Sequence, residues 1–104
     1  MFGKTPVFLP KDARLAGLWP DKVAIESREA VLPGTEISFR LVLEGNSLQV
    51  TAAVQACLVV SKDRRGYVFH IEFPLDSLGS AEHQIITLFI AKGRGEPYVD
   101  RGTG

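Results

Sequence analysis

Through the middle of the chain, apolar and polar residues alternate with a period of two. In residues 36–44, Ile37, Phe39, Leu41 and Leu43 share one parity, with Ser38, Arg40 and Glu44 between them. Successive side chains of a strand point to opposite faces, so this pattern predicts a half-buried β-strand. Gly45-Asn46 follows, a pair suited to the positive φ angles of a tight hairpin turn. From 47 to 61 the alternation resumes through Leu48, Val50, Ala52, Val54, Ala56, Leu58 and Val60. With Glu44 and Ser47 flanking a two-residue turn, Leu43 faces Leu48, Leu41 faces Val50, Phe39 faces Ala52 and Ile37 faces Val54. A slip of one residue would turn the second strand inside out, so the pattern restricts the register.

A second hairpin is expected around Lys62-Asp63-Arg64-Arg65-Gly66, a polar run ending in glycine. Pairing Asp63 with Gly66 sets Val60 against Phe69, Leu58 against Ile71 and Ala56 against Phe73. Cys57, Val59, His70 and Glu72 then share the other face. Strands are thus expected at 36–44, 47–61 and 66–73. The middle one is long enough to bend, near Ala52 and Ala53, and to serve two parts of a barrel or sandwich.

The first third offers shorter candidates: 6–9, 13–18 and 23–27, with turns at 19–22 and 32–35. One helix is expected late, with Ser80 as N-cap, Ile85, Ile86, Leu88, Phe89 and Ile90 at helical spacing, Lys92 in the last turn and Gly93 at the end. A helix this apolar docks on the strands or on a partner. An apolar outer side would favour a dimer or domain interface. Residues 94–104 are Gly-rich and polar and are expected to be mobile.

Composition narrows the function classes. The 104 residues suit one domain with one core. Twelve Lys and Arg balance twelve Asp and Glu, which argues against a DNA- or RNA-binding module. No apolar run is long enough to span a bilayer, and residues 1–6 lack the apolar core of a signal peptide, so a cytoplasmic chain is expected. The single cysteine, Cys57, excludes an internal disulfide and fits a reducing compartment.

The order of strands, turns and helix resembles the PilZ domain family. The resemblance is carried by Val31-Leu32-Pro33-Gly34-Thr35-Glu36-Ile37, which matches a Leu-Pro-Gly turn entering an alternating strand. It is also carried by the long strand through 54–60, by Gly66-Tyr67-Val68-Phe69-His70-Ile71-Glu72-Phe73, and by a helix at 78–91. It covers roughly residues 13–92. It implies a mainly β fold: a small antiparallel barrel of the six-stranded, split-barrel type with one C-terminal α-helix, filling residues 1–104 as a single domain. It also implies a bacterial regulatory or adaptor role in signalling by cyclic di-GMP, in motility or surface attachment.

The family grips that nucleotide with an Arg-x-x-x-Arg stretch and an Asp/Asn-x-Ser-x-x-Gly motif. Arginines suit phosphates and guanine faces. Here no Arg-x-x-x-Arg occurs, and Gly17, Trp19 and Lys22 stand at the Asp/Asn, Ser and Gly positions. The expectation is therefore a domain that binds a protein partner. The alternative is cyclic di-GMP at a changed site formed by Lys11, Arg14, Trp19 and Lys22. The plainer reading of those residues is a tryptophan capping one end of the barrel beside solvated charges.

No catalytic or metal site is expected. Cys57 and His70 on one predicted face would suit a thiol nucleophile and its base, but nothing nearby offers an oxyanion site. His70 and His83 lack ligand spacing with Cys57. Arg64-Arg65 reads as a solvated turn.

Overall fold

The computed structural model describes residues 7–10, 12–93 and 95–100. Their strands are β1 (Val7–Phe8), β2 (Arg14–Leu18), β3 (Lys22–Ser27), β4 (Glu36–Leu43), β5 (Asn46–Ala53), β6 (Ala56–Asp63), β7 (Gly66–Pro74) and β8 (Tyr98–Asp100), with one helix, α1 (Ser80–Lys92). The fold is mainly β. One four-stranded sheet runs β1-β4-β5, with β8 also on β4; the other runs β2-β3-β7-β6. Pairing is antiparallel except between β1 and β4. Among the described residues no closed ring of paired strands forms.

The inner faces of the two sheets meet in one core. Ile37, Phe39, Leu41 and Leu43 of β4 are buried, as are Leu48, Val50 and Ala52 of β5. Val23 and Ile25 of β3 and Ile71 and Phe73 of β7 are buried on the other side. Phe39 and Phe73 join the layers at a ring separation of 5.3 Å, tilted by 53°, an arrangement that suits the ring quadrupoles. The outer side of the first sheet is polar: Ser38 Oγ accepts from Gln49 Nε2 at 2.7 Å, and Arg40 bonds Asp100 across β4 and β8 at 2.8 Å.

The first hairpin keeps the expected faces but not the expected register. Leu43 pairs with Asn46, Leu41 with Leu48, Phe39 with Val50 and Ile37 with Ala52. The turn is Glu44-Gly45, and Gly45 alone supplies the positive φ, at +76°. A shift of two residues leaves every apolar side chain on its own face, so alternation could not distinguish the two registers.

The long strand breaks at Val54 and Gln55. Val54 N–H donates to Thr35 O at 2.9 Å and Gly34 N–H to Val54 O at 2.8 Å, on the side of the first sheet. Gln55 N–H donates to Glu72 O at 2.8 Å, on the side of the second. The chain thus changes sheets within two residues, as a sandwich corner requires.

The second hairpin begins as expected, with Asp63 on Gly66 and Ser61 on Val68. A bulge at Val60 then shifts the register, and Val59 pairs with Phe69, Leu58 with His70, Cys57 with Ile71 and Ala56 with Glu72. The expected pairs of Val60 with Phe69, Leu58 with Ile71 and Ala56 with Phe73 are therefore corrected. One extra residue exchanges the faces beyond it. Cys57 turns inward against the core, while Leu58 turns out beside His70. The supposed Cys57–His70 face does not exist.

Helix α1 starts one residue after its cap. Gly79, not Ser80, is the N-cap, and its N–H donates to Glu82 Oε1 at 2.9 Å. Gly93 ends the helix at φ +62°, its N–H donating to Phe89 O at 3.1 Å. Ile86 is the buried anchor, Ile85 and Phe89 pack beside it, and Leu88 and Ile90 are exposed. The segment expected to be a mobile tail contains β8, where Val99 packs on the core and Asp100 meets Arg40. Arg94 and residues 101–104 of that segment lie outside the described residues.

At the far end of the second sheet, the Arg28 guanidinium holds both Asp63 oxygens, at 2.6 and 2.7 Å. Asp63 also accepts from Arg65 N–H at 2.9 Å. The Arg28 bond, then the Arg65 bond, lowers the Asp63 carboxyl from its ordinary 3.8 to about 2. A depressed carboxylate stabilises the fold above its unfolded pKa and loses that contribution as pH falls through its folded pKa. Asp63→Asn should therefore melt below the native protein at neutral pH. The gap should close between pH 4 and 2, as measured by melting temperature against pH.

Candidate functional site

The outer face of the second sheet carries most of the residues that sequence points to. Its centre is built by the β2–β3 turn. Trp19 N–H donates to Lys22 O at 2.9 Å, which closes the turn over Pro20-Asp21. Gly17 pairs with Ala24 after a bulge that leaves Ala16 unpaired. The Trp19 ring lies back across Gly17: a Cβ there would stand 2.6 Å from Trp19 Cη2 and 2.8 Å from Cζ3. Glycine at 17 is thus required by the close approach of the ring. It leaves Trp19 41% exposed, a flat apolar surface held in place.

Lys22 links this ring to the next strands. Its ammonium sits 4.9 Å from the Trp19 ring centroid, within cation–π range. It also lies 3.8 Å from Glu72 Oε2. His70 Nε2 stands 3.1 Å from the same oxygen, which accepts from the ring when Nε2 carries the proton. β3–β7 pairing sets Ala24 against Glu72 and Glu26 against His70, so these groups share one face. The result is a continuous row of Trp19, Lys22, Glu72 and His70, with Leu58 beside His70 on β6.

Arg14 is separated from Trp19 and Lys22, though it stands level with His70 across Glu26. It stands at the other end of β2, roughly 16 Å of strand away from Trp19 at the usual rise, and its guanidinium meets Glu26 Oε1 at 3.1 Å. There it borders a shallow polar hollow of about 260 Å³ with Asp12, Arg28, Arg65 and Val68. Lys11 lies outside the described residues. The structure therefore brings together Trp19 and Lys22 of the four expected ligand-binding residues and places Arg14 away from them, at the His70 end of the row. Glu72 and His70 join the site unannounced, because the β3–β7 pairing that aligns them with Lys22 spans more than forty residues of chain.

The charges on this face are matched. Lys22 is engaged by Glu72 and Arg14 by Glu26. Among the described residues, no group of three or more His, Cys, Asp or Glu side chains is arranged to hold a metal ion. No helix among them is long and apolar enough to cross a membrane. Comparison with family models, curated proteins and solved structures returns no match to this chain.

Proposed function

We propose that this chain is a PilZ-like recognition domain, an opened form of that barrel with the C-terminal helix retained. It serves as a cytoplasmic adaptor in bacterial signalling linked to cyclic di-GMP, by docking a protein partner on the face that carries Trp19, Lys22, Glu72 and His70. The order of strands and helix supports the family reading. One observation carries the choice of ligand: of the residues expected to grip the nucleotide, the two cations among the described residues, Arg14 and Lys22, are already engaged by Glu26 and Glu72. A dinucleotide would have to compete with both carboxylates for these cations. A protein surface can instead use a rigid tryptophan anchor inside a ring of mixed charge, the composition of an interaction hot spot. The domain has no catalytic role in this reading.

Gly17→Ala separates the site from the fold. The added methyl group displaces the partly exposed Trp19 ring, while the β2–β3 backbone pairing survives. The variant should melt within about 1 kcal/mol of the native protein, the range of surface substitutions. Its tryptophan emission, which comes from Trp19 alone, should shift to the red. A photo-crosslinker at exposed Ala16 should capture a discrete protein in cells with Gly17 and lose it with Gly17→Ala. Equal capture in both backgrounds would count against this face.

A further inference from the structure

The open edge of the first sheet meets an apolar hollow beside the helix and shares no residue with the recognition row. β5 ends that sheet and, among the described residues, pairs only with β4. In an antiparallel ladder alternate residues turn N–H and C=O to the partner strand, and those between turn them away. Two bonds fix the phase here. Val54 N–H donates to Thr35 O, so the even-numbered residues of β5 face β4. Thr51 O is turned the other way and accepts from Ser77 Oγ at 3.1 Å. Ser47 and Gln49, both exposed, share the parity of Thr51. Their N–H and C=O therefore point to the open edge, where no group among the described residues bonds them.

The helix passes along this edge. Ser77, just before α1, bonds β5 at Thr51. Further along α1, Ile85, Leu88, Phe89 and Lys92 line a hollow of about 390 Å³ with Glu44 and Asn46. Asn46 has the parity of buried Leu48 and Val50, which puts the hollow on the inward side of β5. We infer that this edge takes up an extended peptide as an added strand, with an apolar side chain of the peptide seated in the hollow. Antiparallel addition pairs alternate peptide residues with Gln49 and Ser47. The peptide residues opposite Leu48 and Asn46 then point inward, and the one opposite Asn46 reaches Ile85, Leu88 and Phe89. Main-chain bonds give such sites affinity, and pockets for alternate side chains give them specificity.

Charge and core packing both define the occupant. Lys92 makes no ion pair among the described residues, while Glu44 Oε2 is turned to Gly95, 3.1 Å from where a Cβ would stand. An acidic residue beside the apolar one therefore complements the rim at Lys92. A second copy of this chain is a poorer fit. Twofold pairing of β5 about Leu48 would set Val50 opposite Asn46, but Val50 is fully buried in its own core. A copy thus brings no side chain to the hollow, whereas a partner segment without a core of its own does. The inference does not rest on the Trp19 face.

Selection of a random peptide library, displayed on phage, against the immobilised native chain should enrich peptides with apolar residues at alternate positions and an acidic neighbour. Amide exchange at Ser47 and Gln49 should slow when a selected peptide is bound. Ser47→Pro removes an N–H that β4 does not use, at an edge where strands accept proline. It should weaken the selected peptides by at least about 10-fold, through a lost hydrogen bond and a ring in the path of the added strand. Leu88→Lys should weaken them by about 10-fold or more, through loss of apolar burial in the hollow. Because Leu88 is exposed, that variant keeps its fold. Gly17→Ala should leave peptide binding unchanged, so the two faces are tested separately. Failure to enrich any peptide, or selected peptides that bind both Ser47→Pro and Leu88→Lys as tightly as the native chain, would overturn the assignment. A dimer of the native chain that Ser47→Pro abolishes would overturn it too, giving the edge to a second copy.

Discussion

Phe39→Ala should lower the stability of this domain by about 3–5 kcal/mol, the usual cost of removing a buried aromatic side chain. Phe39 is fully buried on β4, and its ring meets Phe73 of β7 from the other sheet. Truncation removes a contact between layers as well as buried area. The neighbouring strands are held by their own ladders and cannot collapse into the space. Because a domain of this size has only about 5–15 kcal/mol in total, the variant should unfold at much lower denaturant concentration. Chemical denaturation measures this directly. A loss below about 1 kcal/mol would mean that the two inner faces do not meet at Phe39.

Ile86→Ala should cost about 2–5 kcal/mol and should act first on α1. Ile86 is the buried residue of that helix, while Leu88 is exposed. Helices this short depend on tertiary packing for their stability. Amide exchange in residues 80–92 should therefore accelerate more than exchange in β3 and β7. Leu88→Ala should change stability by no more than about 0.5 kcal/mol, as surface substitutions do. Equal effects from the two substitutions would place the docking face of the helix elsewhere.

These expectations rest on features of unequal visibility in the sequence. The alternation in β4 is legible because only one parity of residues 36–41 is apolar, and its buried face is the expected one. Its register is not legible, because a two-residue shift preserves that face. In β6 the run Ala56-Cys57-Leu58-Val59-Val60 is apolar at both parities, so periodicity carries no information on which side faces the core. The turn at Asp63 and Gly66 fixes the register only as far as Ser61, and the bulge at Val60 exchanges the faces of Ala56–Val59. β8 is hidden for another reason: three residues among glycines and charges show no period, yet Val99 and Asp100 find the free edge of β4.

The candidate site divides in the same way. Trp19 and Lys22 are legible as neighbours because a four-residue turn holds both. Glu72 and His70 reach them only through the pairing of β3 with β7, which local sequence does not encode. Arg14 is near Trp19 in sequence, but an extended strand carries it away from that turn to the level of His70.

The proposed face, whose cations among the described residues, Arg14 and Lys22, are engaged by carboxylates, is expected not to take the dinucleotide. Calorimetric titration of the native chain with cyclic di-GMP, with Trp19 emission followed in parallel, tests it most directly. No saturable heat and no change in emission are expected. Saturable binding that is abolished by Lys22→Ala or Arg14→Ala would contradict it and establish a nucleotide receptor in its place.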